Sequence, residues 1–275
     1  MKRTVYLFVF LLLLSACVKK GQDITEEETV APDSVAIVDT IDTLEAEEVL
    51  VPKAADLVFN DFIDNFMSSR SFQRNRVKFP LEYDAFGQKA YVQKSQWKFD
   101  SLYAGQDVFL MLFANEKALE NRNSDATDKV EVQALDFNKD RLKQYNFSKN
   151  EGLWTLSSIK EERLEDMPAN NFFRFYKQFA SDSIYRQGHI HDPFTLIFQD
   201  EDTYQQVQGV ASPEQWNIYA PELPAGKVTN LNFSQSLSGL SKVVLMIGTQ
   251  QGAMSSILTF RQQNGEWKLI KLENN

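Results

Sequence analysis

The chain has 275 residues, of which 43% are hydrophobic and 24% charged, a balance typical of a globular protein. Its 38 acidic and 29 basic residues give a net charge of −9, which argues against a general nucleic-acid binder because such proteins carry a basic surface. A single cysteine excludes intrachain disulfides and cysteine-rich zinc sites, and two histidines leave little for a histidine-based metal centre.

Residues 1–16 have the pattern of a lipoprotein signal peptide. Lys2 and Arg3 precede an apolar run of about ten residues, about half the length that a membrane-spanning helix needs. The following Leu-Ser-Ala-Cys resembles the bacterial lipobox, in which the peptidase cuts before the cysteine and the sulfur receives a diacylglyceryl group. We therefore expect a lipid anchor at Cys17, because the only cysteine lies at that point. The alternative is an ordinary secretory signal.

Residues 17–55 are predicted to form a disordered acidic tether. From residue 18 to Asp56 the chain has eleven acidic residues, three lysines and no aromatic residue, and such a segment buries too little apolar surface to offset the entropy of ordering. Ser34, Thr40 and Thr43 each lie between an aspartate and an aliphatic residue. This pattern resembles the O-glycosylation sequon of Bacteroidota, although an unmodified acidic linker would use the same residue types.

The rest of the chain is interpreted as two copies of one unit, residues 56–165 and 166–275. Sliding the sequence by 113 residues brings identical residue types together near both ends of the unit. The aligned pairs include Phe59 with Phe172, Phe62 with Phe175, Phe66 with Phe179, Pro80 with Pro193, Phe147 with Phe260 and Trp154 with Trp267.

Each unit is predicted to begin with an amphipathic helix, because its aromatic residues recur three and four positions apart. An alternating strand is predicted over 74–80, ending or reaching a sheet edge at Pro80, with Pro193 as its counterpart. Further strands are predicted over 108–113, 130–137, 228–233 and 243–247. Each unit closes with a hairpin, in which Gly152 or Gly265 supplies the positive φ of the turn.

These elements predict an α+β fold of two tandem cone-shaped domains, each an N-terminal amphipathic helix packed on a curved antiparallel sheet. The aromatic helices, the two prolines and the Gly-x-Trp-x-Leu hairpins resemble a Bacteroidota lipoprotein family of unknown function. That family is similar to the nuclear transport factor 2-like (cystatin-like) fold. The resemblance implies the fold over residues from about 55 to 275, and it transfers no functional residue.

Two groups of residues are candidates for contact with a ligand or anion. Arg74, Arg76 and Lys78 form a basic patch, for which a solvated strand face is the alternative. His189 and His191 align with Arg76 and Lys78 and would point the same way on a strand, where they would bind a metal or titrate together. A metal site would need a third ligand. We therefore expect the two histidines to lie on a polar strand face that points outward. We expect no catalytic residue, metal or cofactor.

The sequence therefore favours a non-catalytic binding or scaffold lipoprotein of the bacterial envelope. Its expected partners are the lipid bilayer, through acylated Cys17, and an unknown small ligand or envelope protein, with no nucleic acid. The outer membrane is the expected location, with the periplasmic face favoured because no acidic run directly follows Cys17. An envelope assembly subunit is one alternative. A lyase or isomerase is another, and it requires a group such as His189, His191, Asp182 or Tyr176 to face a cavity with a shifted pKa.

Overall fold

The computed structural model describes residues 56–200, 202–249 and 255–274. Cys17, Ser34, Thr40 and Thr43 lie outside these residues, as does the signal peptide. The helices are α1 (Phe59–Ser68), α2 (Arg70–Asn75), α3 (Glu116–Glu120), α4 (Asn170–Ser181), α5 (Ser183–Gly188) and α6 (Trp216–Tyr219). The strands are β1 (Val77–Ala85), β2 (Gln88–Val92), β3 (Val108–Phe113), β4 (Lys129–Asp136), β5 (Arg141–Asn150), β6 (Leu153–Arg163), β7 (Ile190–Gln199), β8 (Gln206–Ala211), β9 (Lys227–Asn232), β10 (Lys242–Thr249), β11 (Ser255–Gln263) and β12 (Glu266–Asn274).

All twelve strands belong to one sheet, in the order β2-β1-β6-β5-β4-β9-β3-β10-β11-β12-β7-β8. The α+β class with a curved, mainly antiparallel sheet is confirmed, although three strand pairs, β1–β6, β12–β7 and β3–β9, are parallel. Tight hairpins force an antiparallel arrangement only on strands that they join directly. None of these three pairs is joined by a hairpin, so parallel pairing is open to each of them.

The two halves of the chain exchange strands at the centre of this sheet. β3, from the first half, pairs with β10, and β9, from the second half, pairs with β4. β3 and β9 then meet through the pairing of Leu110 with Asn230. The halves predicted as separate domains therefore share one continuous sheet.

The apolar run of β3 is buried on both faces of the sheet. Leu110 and Leu112 contact the core that surrounds α4, whereas Met111 and Phe113 contact the core that surrounds α1. Alternate side chains of a strand point to opposite faces, so the two helices cover opposite faces of the shared sheet. An uninterrupted apolar strand is typical of a sheet covered on both sides.

The predicted aromatic helices pack as their spacing indicates. Phe59, Phe62 and Phe66 of α1 are all buried, at 3% exposure or less. Their rings meet Trp154 and Phe147 edge-to-face, with centroids 5.1 Å apart for Phe59–Trp154 and 5.2 Å for Phe66–Phe147. This arrangement suits the quadrupole of aromatic rings, and it fastens the helix to the closing hairpin.

Both predicted hairpin turns are confirmed. Glu151 and Gly152 have φ values of 51° and 82°, and Asn264 and Gly265 have 52° and 84°. Two successive positive φ values define the type I′ turn, whose twist matches that of the flanking strands.

The predicted strand over 74–80 is wrong at both ends. Residues up to Asn75 belong to α2, and β1 runs through Pro80 to Ala85. Likewise β7 runs through Pro193. The pairing register shifts between Val77 and Glu82, and a proline is tolerated within a strand at such a bulge, where no ladder hydrogen bond needs its missing N–H.

Candidate functional site

The predicted basic patch is divided among three elements. Arg74 lies in the last turn of α2, Arg76 is the residue that caps it, and Lys78 is on β1. Arg74 and Lys78 are exposed. The three side chains therefore do not alternate along one strand, and the structure does not bring them together as the pattern predicted.

Arg76 forms an internal ion pair with Asp56. Its two terminal nitrogens donate to the two carboxylate oxygens at 3.0 and 2.8 Å, and the side chains are only 13% and 3% exposed. The backbone N–H of Trp154 also donates to this carboxylate, at 3.1 Å. Asp56 was counted above with the acidic tether, but it is part of the folded core, where it links the chain entry to the closing hairpin.

His189 and His191 do not share a strand face, because His189 precedes β7 and caps α5. The ring of His189 stacks on Tyr185 with centroids 3.8 Å apart, and its Nδ1 lies 2.7 Å from the Tyr185 carbonyl oxygen. His191 is exposed, with Nδ1 2.8 Å from the Pro193 carbonyl oxygen. Within the described residues, no three metal-binding side chains come together.

Asp182 and Tyr176, the other acid–base candidates, have structural roles. The Asp182 carboxylate accepts hydrogen bonds from the Ile184 and Tyr185 backbone N–H groups and caps α5. Tyr176 is fully buried and donates to the Pro224 carbonyl oxygen at 3.0 Å. Burial raises its pKa above that of an ordinary phenol.

Two tyrosine–carboxylate contacts lie elsewhere, Tyr83–Glu161 and Tyr145–Asp100, and the tyrosine of the second is the more buried. The Tyr145 hydroxyl donates to the Asp100 carboxylate at 2.6 Å, and the Lys143 ammonium lies 3.3 Å from the same oxygen. Fully buried Gln73 fixes the loop that carries Asp100: its amide nitrogen donates to the Asp100 carbonyl, and its amide oxygen accepts from the Asp100 N–H.

The environment moves both of these pKa values away from neutrality. Burial alone would raise the pKa of Asp100, but the hydrogen bonds from Tyr145 and the Leu102 N–H, with the nearby Lys143 charge, lower it overall. Burial and the Asp100 charge raise the pKa of Tyr145. A general acid–base pair works best when its pKa values lie near the working pH. This pair is therefore better suited to holding the loop than to moving protons.

The exposed side of α4 separates two surface cavities, with volumes of about 660 and 560 Å³. Both are lined by Asn170, Arg174 and Gln178, which are four residues apart and so form one stripe of the helix. His189 and Tyr185 line the larger cavity, together with the edge of the closing hairpin. Lys177 lines the smaller cavity and donates to the Phe137 carbonyl oxygen.

Arg174 stands at the centre of this stripe. In the described part of the chain, its exposed guanidinium has no hydrogen bond, ion pair or aromatic ring contact. The side-chain oxygen of Asn170, one turn before it, is buried and likewise has no hydrogen-bond partner among the residues that the structure describes. The spacing of the α4 aromatic residues leaves Arg174 on the polar side of the helix, but helix spacing does not reveal which polar residues border a cavity.

A family model described as a domain of unknown function, DUF4348, matches residues 38–274. The crystal structure of an NTF2-like protein from Bacteroides fragilis NCTC 9343 is similar, with a TM-score of 0.74 and 30% sequence identity. The match covers 80% of this chain and 97% of that one, so the NTF2-like fold is confirmed. No curated protein matches the chain. None of the helices among the described residues is both long and apolar enough to cross a membrane.

Proposed function

This chain belongs to the DUF4348 family, and we propose that it is a non-catalytic binding or scaffold protein of a bacterial cell envelope. The observation that carries this proposal is the position of Arg174, unpaired within residues 56–200, 202–249 and 255–274, between two cavities on the exposed side of α4. A guanidinium presents several donors in a fixed, planar arrangement, which matches a carboxylate or phosphate group. The proposed ligand therefore carries such a group.

The neighbouring charges favour an anion at Arg174. In the smaller cavity, the carboxylates of Asp140 and Glu165 are each paired with Arg163. In the larger cavity, the lining carboxylate of Glu266 lies 4.0 Å from the Lys268 ammonium. The corresponding stripe of α1, taken by the 113-residue offset, has Asp61 in place of Arg174. The two helices therefore offer surfaces of opposite charge, and only that of α4 suits an anion.

The proposal includes two copies of one folding unit. It is supported by the ring geometry of the two halves: Phe172–Trp267 centroids lie 5.3 Å apart, against 5.1 Å for Phe59–Trp154. The pairs Phe179–Phe260 and Phe66–Phe147 both meet at 87°. In this proposal, a duplicated unit was joined through strand exchange into one sheet.

The proposed membrane attachment rests on the sequence around Cys17. Acylation there would place the folded part at the end of an acidic tether, on the periplasmic face of the outer membrane in the favoured arrangement, with Ser34, Thr40 and Thr43 as the proposed glycosylation positions. Several acyl chains hold a protein on a bilayer almost permanently. Replacing Cys17 by serine should move the protein from the membrane fraction to the soluble fraction; continued sedimentation with membranes would contradict the anchor.

The enzymatic alternative, a lyase or isomerase acting in one cone, is supported by the more buried of the two tyrosine–carboxylate contacts, that between Tyr145 and Asp100. Both pKa values are displaced away from neutral pH, which opposes that role. A Tyr145→Phe variant distinguishes the two readings, since a catalytic phenol would be essential to turnover, whereas a structural one affects only stability.

The binding surface is tested by photo-crosslinking in cells that produce the full chain. A photoreactive amino acid at Gln178, which lines both cavities, should form a defined adduct, and Arg174→Gln should abolish it. Asn65 is the matched control, because it is the exposed residue of α1 that corresponds to Gln178. No adduct at Gln178, the same adduct at Asn65, or an adduct that survives Arg174→Gln would each overturn the assignment.

A further inference from the structure

A row of amide side chains crosses four strands on the face of the sheet that α4 covers elsewhere. Asn230 of β9 donates to Gln133 of β4 at 2.8 Å, and Gln133 donates to Gln144 of β5 at 3.2 Å. Gln144 then donates to Asn146 at 2.7 Å, and Asn146 donates to Ser158 of β6 at 2.9 Å. Asn230 is fully buried and Gln133 is 4% exposed, whereas Gln144 and Asn146 are partly exposed, so the row runs from the protein interior toward the surface.

The second half of the chain fills the corresponding positions with less polar residues. The 113-residue offset takes Glu131, Gln133 and Gln144 to Val244, Met246 and Ile257. Val244 is fully buried and Met246 is 9% exposed. Apolar side chains at such positions are commonly as stabilising as a buried polar network, or more so. Stability alone therefore does not account for the amide row.

The row borders a cavity of about 220 Å³, roughly the volume of seven waters. A short loop, residues 235–238, and the linker at 167–169 form its other walls. The polar side chains that line it include Glu131, Gln133, Gln144, Lys160, Glu162 and Asn232. This is space for one small polar molecule.

Glu131 gives this cavity a surplus of negative charge. One of its carboxylate oxygens accepts from the amides of Gln133 and Asn232, at 2.9 and 3.0 Å. No cation pairs with Glu131 in the described ranges, whereas Lys160 is paired with Glu162. The carboxylate is thus oriented by two donors but not neutralised, which favours an ammonium group beside it.

We propose that this cavity binds a small protonated amine that also carries hydroxyl groups, a ligand of the size and chemistry of an amino sugar. The ammonium group lies against Glu131, and the hydroxyl groups face the amide and serine side chains of the walls. Amide side chains both donate and accept, so they suit hydroxyl groups, which do the same. This site is separate from the α4 surface and takes a ligand of the opposite charge.

Calorimetric titration of the full chain with D-glucosamine tests the proposal, with D-glucose and N-acetyl-D-glucosamine as uncharged controls. Glucosamine should bind at least about tenfold more tightly than either control, because only it places a charge beside Glu131. This comparison uses the unaltered chain and so does not depend on the folding of any variant. Absence of measurable glucosamine binding, or equal binding of the three sugars, would overturn the proposal.

Variants locate the binding site. Glu131→Gln keeps a side-chain oxygen to accept the two amide hydrogen bonds but removes the charge, so it should reduce glucosamine affinity about tenfold or more. Glu151→Gln, in the exposed turn between β5 and β6, is the matched control and should change nothing. Arg174→Gln should also leave glucosamine binding unchanged, which separates this site from the proposed α4 surface. Unchanged affinity in Glu131→Gln would place the sugar elsewhere and refute the assignment.

Discussion

The Asp56–Arg76 ion pair offers a direct test of how the two halves achieve the same packing. In the second half, the 113-residue offset puts Ala169 and His189 in place of Asp56 and Arg76. Ala169 is 4% exposed, and His189 stacks on Tyr185, the residue that corresponds to Phe72. The arginine of the first half lies over that Phe72 ring, 5.0 Å from its centroid. One half thus uses an ion pair where the other uses a small residue and an imidazole.

Asp56→Ala should lower the free energy of unfolding by about 3 kcal/mol. Breaking a buried pair by removing one partner costs about 3–5 kcal/mol, because a charge is left uncompensated. We expect the lower end of this energy range, because the Arg76 side chain remains 13% exposed to solvent. Total stability is about 5–15 kcal/mol for a typical protein, so this loss is large enough to measure.

The double variant Asp56→Ala, Arg76→His should recover much of that loss, because it recreates the Ala169–His189 arrangement of the second half. Urea denaturation of the full chain, followed by tryptophan fluorescence, measures each variant. Asp125→Ala, at an exposed position, is the control and should stay within about 0.5 kcal/mol. A double variant no more stable than Asp56→Ala alone, or a loss below about 1 kcal/mol for Asp56→Ala, would refute the reasoning.

Three further predictions concern the turns, the Asp100 contact and the shared sheet. Gly152→Ala and Gly265→Ala should each lower the free energy of unfolding, measured by urea denaturation, by about 1 kcal/mol, because φ is positive at both. Gly105→Ala is the control and should be nearly neutral, because φ is not positive there and no atom lies within 4 Å of an added Cβ. Asp100 has a lowered pKa, so its stabilising contribution is present above the unfolded pKa of about 3.9 and is lost as pH falls through the folded value. Asp100→Asn should therefore be destabilising at pH 7, and its deficit should shrink as the pH falls below about 4; a deficit independent of pH would contradict the ionic contact. Residues 56–165 produced alone should not fold as a stable monomer, because β3 would lose its partners β9 and β10. Co-production with residues 166–275 should restore a complex, which size-exclusion chromatography detects. A 56–165 monomer that unfolds cooperatively would show that the pairing of strands between the halves is dispensable.

The features that the sequence predicted correctly are local ones. The aromatic stripes of α1 and α4 follow from a period of three to four residues, and the turns at Gly152 and Gly265 follow from residue type alone. The bounds of β3 were predicted as observed, because an unbroken apolar run at residues 108–113 is unusual outside a buried strand. In each case neighbouring residues contain the whole signal.

Contacts between distant residues were not predictable in the same way. Asp56 is 98 residues from the Trp154 N–H that it accepts, and Asp100 is 45 residues from Tyr145. Asp56 was counted with the charges of the acidic tether, since its neighbours Ala55 and Leu57 give no sign that its carboxylate is buried. Its role is decided by Arg76, whose own pattern indicated an exposed strand face. The sequence around each residue therefore gave no indication that Asp56 and Arg76 form an ion pair.

The polar side of β5 shows what alternation along a strand can and cannot predict. Gln144 and Asn146 alternate with the buried Tyr145 and Phe147, and such alternation normally indicates that the polar side faces water. In a cone standing alone, that side would be the outer surface. Here β9 adds Asn230 beside the same face, and the loop after β9 covers it. The alternation therefore correctly predicts which side chains share a face of the sheet. Whether that face contacts solvent or lines a cavity depends on the strand that the other half contributes.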